Sequence, residues 1–223
     1  MSGTAAPTTA LLAGASGLVG GECLRLLTRA PHYERVIVVT RRDLGSQVAH
    51  PKIRQIVVDF AELAAHAAPL RADHVFCTLG TTIKKAGSRE RFREVDFSYP
   101  YELARLARDH GAAHFSLVSA IGADPRSRFF YSRVKGDLEI AVRQLGLPSV
   151  AIFRPSVIAG ERTESRPFER VGARVLAFAP RRWRPVHAAT IAAAMVEMAR
   201  RSPPGTTVTE SEGIADIVEG GEA

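Results

Sequence analysis

Apolar residues recur along this chain in two alternating rhythms. Short unbroken runs, such as Leu11-Leu12-Ala13, Val36-Ile37-Val38-Val39 and Val75-Phe76-Cys77, alternate with longer stretches in which apolar positions fall three or four apart. The first kind suits strands covered on both faces, and the second suits helices with one buried stripe. The pattern predicts a first strand ending at Ala13 and further strands over 35–40, 53–58, 74–77, 114–118 and 149–153. Helices are predicted over 18–29, 61–68, 88–109 and 129–145, with Pro31 and Gly111 as natural stops. Pro100 must interrupt or kink the helix it falls in. Strands separated by helices argue for a parallel sheet flanked by helices.

Beyond Arg154-Pro155 the alternation breaks. A polar loop is expected at 159–165, a helix at 168–178 and a short strand at 183–187. A strong helix at 188–200, a last strand at 206–209 and a helical turn at 214–218 close the chain. No linker separates these pieces. The fold class expected is α/β, a doubly wound parallel sheet in one domain over 1–223, with a small C-terminal substrate cap drawn mainly from 159–187 and 205–223.

The 223 residues, 46% hydrophobic, are enough for one real core. No apolar stretch approaches the ~20 residues that span a membrane, and Met1-Ser2-Gly3-Thr4-Ala5 carries no basic leader region. A cytoplasmic location is expected, with no membrane partner. Cys23 and Cys77 fit neither a disulfide framework nor a metal cluster, so reduced thiols and no metal are expected. The net charge is +7, and only four of the 30 basic residues are Lys. That balance suits anionic ligands such as nucleotide phosphates or acidic substrates. The arginines are spread widely, which argues against nucleic acid as the main partner.

Candidate chemistry begins at the first strand. Gly14, Gly17 and Gly20 follow it at three-residue spacing and open the helix at 18–29. The first glycine allows a tight turn, the second a close approach of backbone to ligand, and the third close packing of helix on strand. The helix start then offers free N–H groups and a positive dipole end to a pyrophosphate. A plain strand–turn–helix corner would look the same. The second strand ends in Thr40-Arg41-Arg42, where an NAD site carries an acid; arginine there accommodates a 2′-phosphate. Two surface arginines are the bland alternative. Asp59 follows the third strand and fits either an adenine amino group or a helix cap.

Tyr131 and Lys135 stand at i and i+4, on one face of a helix and one turn apart. An ammonium there stabilises phenolate, so the tyrosine can give or take a proton near neutrality. The position holds Lys in a chain that otherwise uses Arg, and only Lys can release a proton into a relay. Ser119, at the end of the strand before this helix, is placed to polarise a carbonyl oxygen or simply to bond its loop. Arg166, Arg170 and Arg174 form a basic stripe that reads as a solvated face or as a surface for an anionic substrate. His187 sits among apolar neighbours and reads as structural.

Together, Gly14-Ala15-Ser16-Gly17-Leu18-Val19-Gly20, Ser119, Tyr131…Lys135 and Arg154-Pro155-Ser156 resemble the short-chain dehydrogenase/reductase superfamily. Cys77-Thr78-Leu79-Gly80-Thr81-Thr82, Val118-Ser119-Ala120-Ile121-Gly122-Ala123-Asp124 and Tyr131…Val134-Lys135-Gly136 look like its atypical branch. That branch holds small bacterial NAD(P)H-binding proteins related to a human Tat-interacting oxidoreductase-like tumour suppressor. The resemblance runs over roughly 8–200 and implies a Rossmann fold. It implies that Gly14, Ser16, Gly17, Leu18 and Val19 hold the pyrophosphate, Arg41 and Arg42 the 2′-phosphate, and Asp59-Phe60 the adenine. Cys77, Thr78 and Leu79 would line the riboses, Gly80 beside them would also touch the cofactor, and Pro155, Ser156 and Val157 would meet the nicotinamide. Ser119, Tyr131 and Lys135 would form the catalytic set, with Tyr131 and Lys135 also touching the cofactor. One departure stands out: Asp96 occupies the place of an Asn that often serves the proton relay.

The function expected is an NADP(H)-dependent oxidoreductase of the short-chain type, preferring NADP(H) to NAD(H). It would reduce a carbonyl, or oxidise an alcohol, of a small molecule, with anionic substrates among the candidates, as a monomer or homodimer. The alternative is an NADPH-binding sensor or scaffold protein without turnover.

Overall fold

The apolar runs pair side by side. The computed structural model describes residues 8–160 and 180–220, and in it seven strands form one parallel sheet. They are β1 (Thr8–Ala13), β2 (Tyr33–Thr40), β3 (Ile53–Val57), β4 (His74–Cys77), β5 (His114–Val118), β6 (Ser149–Arg154) and a last strand, Gly205–Glu210. The order across the sheet is β3-β2-β1-β4-β5-β6 and then that last strand. Strands are therefore added outward on one side of β1 and then, from β4, on the other, and such a switch opens a crevice at the carboxyl ends of the two strands. Register fixes those ends together: Ala13 lies beside Val39 on one side and Cys77 on the other.

Two apolar layers cover the sheet. On one face, Leu11, Ile37, Val75, Phe115 and Leu117 pack under α4 (Tyr99–Asp109) and α5 (Phe130–Gln144). On the other, Leu12, Val38, Phe76 and Phe153 pack under α1 (Leu18–Arg29) and α6 (Ala188–Arg201). Adjacent residues Leu11 and Leu12 are both buried, on opposite faces, which is why the strand is apolar throughout. Each contributes roughly 1.5–3 kcal/mol by leaving water.

Where the structure departs from expectation, the causes are local. The stretch 88–109 is not one helix. It is α3 (Arg89–Arg93), one π-helical turn (Glu94–Ser98) and α4, preceded by the short α2 (Ile83–Ala86). Pro100 has no N–H to give the Asp96 carbonyl, and the Tyr99 N–H reaches back to the Glu94 carbonyl instead. The 61–68 helix is two 3₁₀ turns, Phe60–His66 and Ala68–Leu70, with Pro69 inside the second. The strand expected at 183–187 shrinks to β8 (Val186–His187), which pairs with β7 (Ile158–Ala159). The strand Gly205–Glu210 is β9. It lies beside β6 in the main sheet, and α7 (Ile214–Glu219) contributes Ile214 to the core against α6, so 205–219 is part of the domain body and not of a cap. His187 is exposed and precedes α6, away from apolar cover. The helix expected at 168–178 and the Arg166/Arg170/Arg174 stripe lie outside the described residues.

Candidate active site

The glycine turn is as tight as its spacing requires. Gly14 has φ +98, and a Cβ there would lie 2.5 Å from Thr78 Oγ1 and 2.8 Å from the Thr78 backbone. A Cβ on Gly20 would lie 2.0 Å from the Gly14 carbonyl oxygen. Thr78 seals the far side by donating its hydroxyl to the Ala13 carbonyl (2.9 Å). Gly17 differs: its nearest neighbour is the Gly14 carbonyl at 3.3 Å, and it is exposed, as is Ser16. Gly17 also caps α1 with no side-chain acceptor, and the first turn of α1 carries no acid. Backbone N–H groups at the start of a 12-residue helix thus have no side-chain cap among the described residues, which is the chemistry a pyrophosphate needs. The residues fit a dinucleotide. Leu18 turns its side chain toward Gly160, and Val19 is buried, so these two can offer only backbone.

Arg41 and Arg42 extend from the end of β2, both exposed and without an ion pair among the described residues. Their backbone is fixed by Gln55, whose Nε2 donates to Thr40 Oγ1 (2.7 Å) and to the Arg42 carbonyl (3.0 Å). Asp59 is exposed and caps the next turn, Oδ1 accepting the Ala61 N–H (3.0 Å). Phe60 is buried against Tyr99, ring centroids 5.7 Å apart, so its side chain belongs to the core and cannot stack on adenine.

Tyr131 and Lys135 stand one turn apart on α5, as their spacing implies. Phe92 of α3 packs on the Tyr131 ring at 5.6 Å, and no hydrogen bond engages the Tyr131 hydroxyl among the described residues. Lys135 is buried, and its Nζ lies 2.8 Å from Asp96 Oδ1 in an ion pair closed to solvent. Asp96 Oδ2 also accepts the Thr81 N–H (2.9 Å), so one carboxylate ties the loop after β4 to α5. Burial pulls the Lys135 ammonium down; Asp96 and then Tyr131 outweigh it and hold it above the usual lysine value. Gly80 passes over this pair, where a Cβ would come within 3.4 Å of Asp96 Oδ1 and 3.8 Å of Lys135 Nζ. Cys77 and Leu79 turn inward to the core, and burial pushes the Cys77 thiol up to about 12. Of the 77–80 loop, backbone and Gly80 remain to line a ribose.

Ser119 is not a free donor. Its hydroxyl is buried and donates to Glu139 Oε1 (2.6 Å). Arg154 grips the same carboxylate through Nε (2.9 Å) and Nη2 (2.6 Å), and gives Nη1 to Glu210 (2.8 Å). The ends of β5, β6 and β9 are thereby stapled to α5 through one buried acid. Ser156 donates its hydroxyl to the Arg184 carbonyl (2.5 Å), and Pro155 accepts the Ile121 N–H (3.0 Å). Only Val157 of that trio is largely exposed toward solvent.

A family model described as "NAD dependent epimerase/dehydratase family" matches residues 10–177. The chain belongs to this family. Among curated relatives, Protein HTATIP2 of Rattus norvegicus is 37% identical over 172 residues, 76% of this chain and 71% of that one. "Protein FMP52, mitochondrial" of Lodderomyces elongisporus is 36% identical over 169 residues, 71% of this chain and 70% of its own. The short-chain likeness drawn from the motifs stands within this family. Its fold stands too. The Bordetella bronchiseptica enzyme WbmH, solved in complex with NAD+, superposes with a TM-score of 0.69 at 16% identity over 92% of this chain and 75% of that one. The FMP52 relative is named a mitochondrial protein, and this overturns the cytoplasmic location expected above. Among the described residues no helix is long and apolar enough to cross a membrane.

The expected site residues thus divide. The glycine turn, Arg41, Arg42, Thr78 and Gly80 stand at the carboxyl ends of β1, β2 and β4, and Lys135 lies beside Gly80 with Tyr131 one turn before it on α5. Phe60 and Cys77 turn into the core, and Ser119 and Ser156 spend their hydroxyls on other groups. Glu139 escaped the motif reading. The signal for it was present: Tyr131, Lys135 and Glu139 recur at i, i+4 and i+8, which puts an acid on the buried stripe of α5.

Proposed function

We propose that this protein is an NADP(H)-dependent oxidoreductase of the short-chain type, reducing a carbonyl of a small molecule or oxidising the corresponding alcohol. The observation that carries the reading is Tyr131. Its hydroxyl is unengaged among the described residues, one helical turn from a buried ammonium that itself lies beside Gly80 of the loop after β4. The nicotinamide, when bound, supplies or accepts the hydride. Tyr131 Oη gives its proton to the carbonyl oxygen as the alcohol forms, and takes one back from solvent. Lys135 holds positive charge near the phenolate that this transfer leaves. The uncapped start of α1 holds the pyrophosphate. Arg41 and Arg42 are free to meet a 2′-phosphate and support the preference for NADP(H). Ser119 is occupied as a donor by Glu139, so it can only accept a hydrogen bond near the substrate, and Tyr131 is the polarising donor.

The test is NADPH oxidation against a panel of aldehydes and ketones, with wild type and Tyr131→Phe compared. Loss of turnover with nucleotide binding retained supports the reading, and equal rates refute it. A nucleotide-binding protein without turnover is the second reading, favoured by the occupied Ser119 hydroxyl. It predicts NADPH binding with no oxidation across the whole panel by wild type.

A further inference from the structure

The buried Asp96–Lys135 pair goes beyond what a tyrosine–lysine motif contains. Its origin lies in the chain. Pro100 removes the N–H that would bond the Asp96 carbonyl, and the helix widens into a π turn at Glu94–Ser98. Asp96 is the one residue of that turn that is buried, and it meets Lys135 Nζ at 2.8 Å. The side chains of the two are 1% and 4% exposed. Water does not screen this pair, so the carboxylate cancels most of the ammonium's field at short range. Tyr131 lies one turn away on the same face.

We infer that Asp96 is a positioning residue that sets how much of the Lys135 charge Tyr131 feels, and so sets the pH at which the site exchanges its proton. This rests on the reading of Tyr131 as the proton donor. The ionisable groups acting on Lys135 are Asp96 from the π turn, Tyr131 from α5 itself and Cys77 from the end of β4. Cys77 remains a neutral thiol at ordinary pH, its pKa pushed up to about 12 chiefly by burial. From α3 the apolar Phe92 packs on the Tyr131 ring, and Arg93 of that helix pairs with Asp137 of α5 (3.0 Å). Asp96 is therefore the charge that decides how Lys135 acts.

The test reads the Tyr131 phenolate directly, as the difference in ultraviolet absorbance between wild type and Tyr131→Phe along a pH titration without nucleotide. In Asp96→Asn the Tyr131 component moves to lower pH by about one unit, because Lys135 then faces the phenol uncancelled. An unmoved component in folded Asp96→Asn overturns the inference. Removing one partner of a buried pair endangers folding, whereas removing both leaves no unpaired charge. The Asp96→Asn/Lys135→Met variant, compared with its own Tyr131→Phe version, is thus the second arm. If the pair cancels itself, Tyr131 titrates there as in wild type. A move to higher pH by about one unit shows that Lys135 acts on Tyr131 despite Asp96, and overturns the inference. Neither arm uses substrate, so the inference and the proposed reaction fail separately.

Discussion

Acid should destabilise this protein well before its carboxylates protonate, and the cause is His114. The imidazole lies at the amino end of β5 with no exposed surface. Both ring nitrogens are used: Nδ1 lies 2.8 Å from Ser149 Oγ and Nε2 2.9 Å from Ser116 Oγ. Burial, and then the neighbouring His74, push its pKa from 6.5 down to about 3. A histidine with a lowered folded pKa binds its proton first in the unfolded chain. The stability it contributes is complete above pH 6.5 and is lost as pH falls toward 3. At 1.36 kcal/mol per pH unit, the loss is about 2 kcal/mol at pH 5. For a chain of this size that lowers Tm by about 4–8 °C. His74 and His32 are also lowered, mainly by burial, and add in the same direction. Urea denaturation at pH 7, 6 and 5 measures the slope, and His114→Gln isolates its source. The variant starts less stable but loses less between pH 7 and 5. Equal slopes in wild type and variant would refute the assignment.

Three further outcomes follow from the packing. Gly20→Ala places a methyl 2.0 Å from the Gly14 carbonyl, so it should cost about 1–3 kcal/mol in chemical denaturation and abolish nucleotide binding in calorimetry. Glu139→Ala strips the buried partner from Arg154 and Ser119; a loss of about 3–5 kcal/mol is expected from denaturant melts, and a change under 1 kcal/mol would remove it as the staple. Cys23 and Cys77 are fully buried, with thiols pushed up mainly by that burial, so a thiol-specific reagent should label neither until denaturant is added.

Much of the sheet was legible because parallel strands buried on both faces write themselves as unbroken apolar runs. β4 and β5 fall on the residues expected, and so does α1. The glycine turn was legible for a related reason, since close backbone approach leaves no residue choice. What the sequence hid depends on partners distant in the chain. Ser119 at a strand end reads as an open hydroxyl until Glu139, twenty residues on, is seen beneath it. Phe60 and Cys77 sit in cofactor motifs, yet a motif does not say which way a side chain turns. β9 looked like cap because the alternation breaks after Arg154-Pro155, although the helix at 188–200 stands directly before it; its place beside β6 is seen only in the pairing. Pro100 marked a break, but that the break would be a π turn aiming Asp96 at Lys135 required the packed helix.

Which nucleotide the crevice holds is the central question. Titration calorimetry of NADPH and NADH into wild type, and into Arg41→Ala/Arg42→Ala, tests it. Wild type should bind NADPH about tenfold or more tighter than NADH, a difference of ~1.4 kcal/mol or greater, and the double variant should bind both alike. Equal affinities in wild type, or no binding of either nucleotide, would contradict that preference.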